Sequence, residues 1–216
     1  MTLGASAKEK IMSENKNAAA AARPVKRLNV KTLTGMGLLT AIVIVLQFVC
    51  LALRPTGFFN ITLCLVPIVV GAALYGVKAG AWLGFVFGVI VTITDSAAFM
   101  VINAPATIAV CVLKGTLAGL AAGAVYRLLE KKNLYAAAVT AGVVCPVANT
   151  GLFALGCFAF FMPTIAEWGL AAGIENAAAF LFAGVIGTNF FIELAVNLVL
   201  SSVIVSVIKI GRKTAV

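Results

Sequence analysis

Between Thr32 and Leu53 the chain carries no charged side chain at all. A helix needs about 20 predominantly apolar residues to cross a hydrocarbon core of about 30 Å, so this run alone is long enough to span a membrane. Further apolar runs lie at about 60–76, 79–100, 105–127, 133–161 and 177–208, divided by short stretches of Gly, Pro, Asn and charged residues. The chain is 62% apolar and 11% charged, against about 45–50% and about 25% in soluble domains. Lipid is therefore the solvent for most of it. A transmembrane barrel would alternate apolar and polar residues over segments of about 10 residues, and no such alternation is present. The expected fold is an all-α integral membrane protein, a bundle of six transmembrane helices over residues 32–208.

The first 31 residues hold Lys8, Lys10, Lys16, Arg23, Lys26, Arg27 and Lys31 among Ala, Asn and Ser, with too few large apolar groups to build a core. They read as a disordered basic cytoplasmic tail, and 209–216 as a second one. The apolar run from Leu33 is too long for the core of a cleaved signal, which spans about 7–15 residues, so it reads as a retained helix. Fourteen of the sixteen basic residues fall on one side of a six-span topology, and the opposite connections hold Arg54, Asp95, Glu167 and Glu175. The positive-inside bias then places both termini in the cytoplasm. A net charge of +9, concentrated at membrane edges, suits anionic lipid headgroups rather than nucleic acid.

Several chemistries are excluded early. The sequence has no His and no CxxC pair, and Cys50, Cys64, Cys111, Cys145 and Cys157 all sit in apolar runs. Buried free thiols are expected, with no metal site and no cofactor. Without His there is no Ser–His–Asp set, and the Gly76–Gly80 stretch is too compact for a phosphate-binding loop. No enzyme is predicted.

The polar residues inside the apolar runs are more informative. Lys114 lies mid-span in the fourth run, where an ionisable group costs at least about 2.5–3.5 kcal/mol. It reads either as a substrate contact or as the partner of Glu193 in an internal ion pair. Asn189, Glu193 and Asn197 are spaced four apart and share one helix face. A carboxylate and two amides on one face orient a small polar ligand in an apolar pocket; interhelical hydrogen bonding is the alternative. Pro146 removes a helical hydrogen bond, so Asn149 and Thr150 either face the same cavity or repair the kink. Arg54, Phe58, Phe59 and Asn60 in the first outer connection and Met162, Pro163, Glu167 and Trp168 in the last form either a lid or interfacial anchors. The candidate substrate-binding residues are thus Arg54, Asn60, Lys114, Asn149, Asn189, Glu193 and Asn197. Gly37 and Ala41 form a small-xxx-small pair that permits close helix approach.

Four ordered blocks carry a family resemblance: the basic lead-in with Leu33–Ala41, ITLCLVPIVVGAALYGVKAG from Ile61 to Gly80, LKGTLAGLAAG from Leu113 to Gly123, and NFFIELAVN from Asn189 to Asn197. The second block, with Pro67, Gly71, Tyr75, Gly76 and Gly80, is the most specific. Over about residues 30–210 the chain resembles the substrate-binding S components of energy-coupling-factor (ECF) transporters, the bacterial vitamin importers. The resemblance implies a multi-pass protein of the bacterial plasma membrane that captures a water-soluble vitamin with high affinity from outside. ATP hydrolysis would then belong to two separate ATPases, acting through a membrane coupling subunit. Gly37 and Ala41 occupy the positions of the family's docking motif, in which alanine often stands at both. Lys114 and Arg54 can neutralise a carboxylate, which slightly favours pantothenate, with riboflavin and folate as other candidates. A stand-alone secondary transporter, coupled to an ion gradient through Lys114 and Glu193, is the alternative.

Overall fold

A computed structural model describes residues 30–52 and 63–214. Residues 1–29 of the basic tail expected over 1–31, Phe58, Phe59 and the candidate ligand residues Arg54 and Asn60 lie outside the described residues. All regular structure among the described residues is helical. In chain order it comprises α1 (Val30–Ala52), α2 (Leu65–Tyr75), α3 (Val77–Thr94), α4 (Ala97–Leu129), α5 (Leu134–Phe160) and α6 (Met162–Ala171). Then follow α7 (Ala177–Phe180), a π-helical segment at Leu181–Gly187, α8 (Thr188–Val199) and α9 (Ser201–Thr214).

Five stretches are long and apolar enough to cross a membrane: α1, α3, α4, α5 and the continuous Ala177–Val199. The run expected at 60–76 contributes only the 11 residues of α2, about 16 Å at 1.5 Å per residue. Most of α2 is buried, from Leu65 through Ala73 with only Val66 partly exposed. A helix apolar all round belongs inside a protein core. The last run, expected as one span over 177–208, divides at Leu200. In α9, Ile204, Val205 and Ile208 are buried while Ser202, Ser206 and Lys209 are exposed, so its apolar face packs on α2 and α5.

The most extensive helix contact joins α3 to α4, and glycine makes it possible. Gly80, Gly84 and Gly88 recur every four residues on α3 and face Gly119, Gly115 and Cys111 on α4. A Cβ on Gly80 would lie 2.5 Å from the Gly119 carbonyl oxygen, and one on Gly88 would lie 2.5 Å from that of Cys111. Gly84 and Gly115 are closer still, each against the other's carbonyl oxygen. Backbone-to-backbone approach of this kind replaces the hydrophobic drive that lipid-immersed helices lack. At the joint between α2 and α3, Gly76 has φ +97°, and Arg127 lies where a side chain would project, so this turn also requires glycine.

Near its start α4 bends. Asn103 leaves the helical region at φ −153°, ψ 89°, two residues before Pro105, which supplies no backbone N–H. Its Oδ1 accepts a hydrogen bond from the Ala106 N–H at 3.2 Å, the arrangement of a helix N-cap. Residues 97–102 therefore form a separate short helical piece, and this piece supplies part of the wall of the cavity described next.

Candidate ligand site

A cavity of about 380 Å³ opens inside the bundle, within the size range of small-molecule sites. From α3 it takes Phe87, Val91 and Thr94; from the turn into α4 and from α4 itself, Asp95, Ser96, Ala97, Ala98, Phe99, Cys111 and Lys114. Opposite stand Asn149, Thr150 and Phe153 of α5, Trp168 of α6, Val185 and Ile186 of the π-helical segment, and Asn189 and Glu193 of α8. Four of the seven candidate ligand residues, Lys114, Asn149, Asn189 and Glu193, thus come from three helices to one space.

Each is held differently. The Lys114 Nζ lies 4.7 Å from the centroid of the Phe153 ring, so its charge rests on an aromatic face inside the cavity, an interaction worth about 0.5–2 kcal/mol. Asn149 is 5% exposed, and its Oδ1 is buried without a hydrogen bond among the described residues. It follows Pro146 by less than one turn and does face the cavity. Asn189 donates its Nδ2 to the Val185 carbonyl at 3.2 Å, while Glu193, 5% exposed, stands one turn further along the same face. The π-helical segment shifts the register just before α8, so that the adjacent Val185 and Ile186 both line the cavity with this face.

Asn197 is placed otherwise. It is fully buried, its amide donates to the Glu193 carbonyl oxygen at 2.9 Å, and it does not line the cavity. The stripe read from the sequence is therefore divided: two members reach the cavity, and the third lies beyond it, with its carbonyl near Gly142.

Several lining residues escaped the sequence reading. Phe99 is the hub of an aromatic cluster, with ring centroids 5.8 Å from Phe153, 5.0 Å from Phe161 and 5.5 Å from Trp168. Nothing in the sequence distinguishes Phe99 from the other phenylalanines, because its position depends on the break at Asn103. Asp95 counts in the sequence only as a charge at the end of a span, yet it reaches the cavity. Gln47 is the one large polar side chain within the uncharged run of α1, and that was the available signal. It is 3% exposed and donates its Nε2 to Asp95 Oδ2 and, at 3.3 Å, to Thr94 Oγ1.

Gly37 and Ala41 lie on an exposed face of α1, and a Cβ on Gly37 would meet no atom within 4 Å. Of α1 only Val43, Gln47 and Cys50 are buried, so the small-residue pair is open to whatever lies outside the bundle.

Residues 31–205 match the family described as ECF transporter, substrate-specific component. The chain belongs to this family. It is a multi-pass membrane protein of the ECF type, whose substrate-specific components are transport subunits and not enzymes, and the family associates with the membrane and ATPase subunits of an ECF module. The search of curated proteins finds no match. In a substrate-specific component, an internal cavity that joins a cation, two carboxylates, amides and an aromatic cluster is the place to look for the transported molecule.

Proposed function

We propose that this chain captures a water-soluble vitamin in the cavity between α3, α4, α5 and α8, and that the energy for its release comes from separate ATPases coupled through a membrane subunit. The observation that carries the reading is the convergence of Lys114, Asn149, Asn189 and Glu193 on one cavity, beside the rings of Phe99, Phe153 and Trp168. A mostly apolar pocket with a few convergent polar groups is what orients a small polar ligand. The cation at Lys114 favours a vitamin with a carboxylate, pantothenate before riboflavin or folate. Basic residues flank both ends of the chain, which supports an even number of crossings with both termini in the cytoplasm. In that topology the chain crosses once more between α1 and α3, over a stretch of which α2 is only a part.

The test is a vitamin panel read by thermal shift on the purified protein. Pantothenate is expected to raise the melting temperature at micromolar concentration or below; stabilisation by riboflavin alone would reassign the substrate. A binding subunit is further expected to show no flux in liposomes without its partners, whereas flux by the chain alone would favour a secondary transporter.

The exposed Gly37 and Ala41 support a docking role for that face of α1. Replacing both with Leu is expected to leave pantothenate binding within about twofold of the parent, because neither touches the cavity, and to abolish uptake in cells that hold the full transporter. Uptake at the parental rate in that double variant would remove this face from the docking surface.

A further inference from the structure

The asparagines of α5 and α8 use their amides differently. Asn189 donates its Nδ2 to the Val185 carbonyl and Asn197 to the Glu193 carbonyl, each four residues back along the helix. Asn149 has the same option in the Cys145 carbonyl and does not take it. Among the described residues neither its Oδ1 nor its Nδ2 makes a hydrogen bond, although the residue is only 5% exposed. Gln47, Ser96, Thr107 and Asn197, the other uncharged polar residues that are buried, each donate at least one hydrogen bond. A buried amide without a partner is costly and calls for an explanation. Asn149 lines the cavity, so the cavity is where its partner enters.

The nearest charged group on that wall is Lys114. Phe153 stands four residues after Asn149 on the same face of α5, and the Lys114 Nζ lies 4.7 Å from the centroid of its ring. Among the described residues this ammonium makes no ion pair. The two groups ask for different chemistry. An ammonium only donates and attracts an anion, whereas a primary amide offers a carbonyl acceptor and two N–H donors side by side. A half turn about χ2, a broad two-fold torsion, presents either end of Asn149 to the cavity, because neither end is tied to the protein. Its oxygen needs an O–H or N–H, which a carboxylate or an alkyl chain does not supply.

We propose that Asn149 is the specificity-determining residue of the cavity: its amide pairs with a hydroxyl or amide group of the ligand while Lys114 holds the ligand's carboxylate, so that the site takes hydroxy- or amido-acids and rejects plain alkanoates. This rests on the cavity being the ligand site, and it deepens that reading by naming the chemical class of the molecule.

The test compares the full chain in detergent with Asn149→Leu, which keeps the branched shape and removes both polar ends, and with Asn149→Ala, which adds no bulk. Titration calorimetry sets pantothenate, which carries hydroxyls and an amide beside its acid, against hexanoate, which carries the acid alone. Pantothenate affinity is expected to fall about tenfold or more in both variants, while hexanoate binds the parent and the variants equally weakly. Without ligand, both melting temperatures are expected to hold or rise, because no hydrogen bond within the protein is lost. Parental affinity for pantothenate in both variants would overturn the proposal. So would a ligand-free melting temperature lower by about 3 °C or more in both, the size of a lost internal hydrogen bond in a chain of this length. Should the parent bind no pantothenate, the vitamin assignment fails separately, and the ligand-free melting temperatures judge Asn149. Values at or above the parent support an amide kept for the cavity, and lower values in both variants overturn it.

Discussion

Gly84→Leu is expected to prevent α3 and α4 from closing, with the largest loss of stability of any single substitution in the bundle. The first atom of the new side chain would sit against the Gly115 carbonyl oxygen, with the Gly115 carbonyl carbon 2.8 Å away. Backbone atoms cannot rotate aside as a side chain does, so the helices must separate and the neighbouring contacts at Gly80 and Gly88 open with them. Overpacking of a well-packed core costs about 1–3 kcal/mol and occasionally more; with two backbones in contact the upper end applies. A loss of about 3 kcal/mol corresponds to a melting temperature lower by about 10 °C for a chain of this size. Thermal unfolding in detergent measures it, with Gly37→Ala as the control, since a Cβ there meets no atom. An unchanged melting temperature in Gly84→Leu would mean that the two helices do not approach as described.

The second large effect is expected on binding rather than on stability. Lys114→Met keeps the length of the side chain and its contact with Phe153 but removes the charge. If Lys114 neutralises the carboxylate of the ligand, truncation of this partially buried charge pair costs about 2–5 kcal/mol, and pantothenate affinity falls about 100-fold. Stability without ligand is expected to hold or rise. Relief of about 2.5–3.5 kcal/mol for a mid-membrane charge outweighs the loss of a cation–π contact of about 0.5–2 kcal/mol. Pantothenol, the alcohol that lacks the acid, separates the possibilities: the parent is expected to bind it poorly, and the substitution to leave that binding unchanged. Equal affinity of parent and variant for pantothenate, measured by titration calorimetry, would remove Lys114 from the ligand contact.

Both predictions concern residues that differ in how far the sequence reveals them. Lys114 and Glu193 stand out because charge in an apolar run is costly and needs a reason, and the helical spacing of Asn189 and Glu193 places them on one face without reference to any other helix. Their convergence on one cavity with Asn149 agrees with that reading. The same spacing rule extends the stripe to Asn197, and there it fails: a helix face turns away from a cavity of limited depth, and periodicity carries no information on where a cavity ends. The α3–α4 contact was present in the sequence as glycines four residues apart on two segments, but only their mutual approach distinguishes a packing seam from the general abundance of glycine in this chain.

Length and polarity alone were enough to establish a helical membrane protein and its long spans, because a lipid solvent requires every backbone hydrogen bond to be satisfied within the segment and so leaves one local solution per apolar run. They overestimated α2, whose apolar character arises from burial among other helices rather than from contact with lipid. The wall of the cavity was decided by tertiary structure. Phe99 enters it through the break at Asn103, Asp95 through its hydrogen bond to Gln47 on a helix 48 residues earlier in sequence, and Val185 with Ile186 through the π-helical register. Each depends on contacts between segments distant in the chain, and such contacts leave no periodic signal in the sequence.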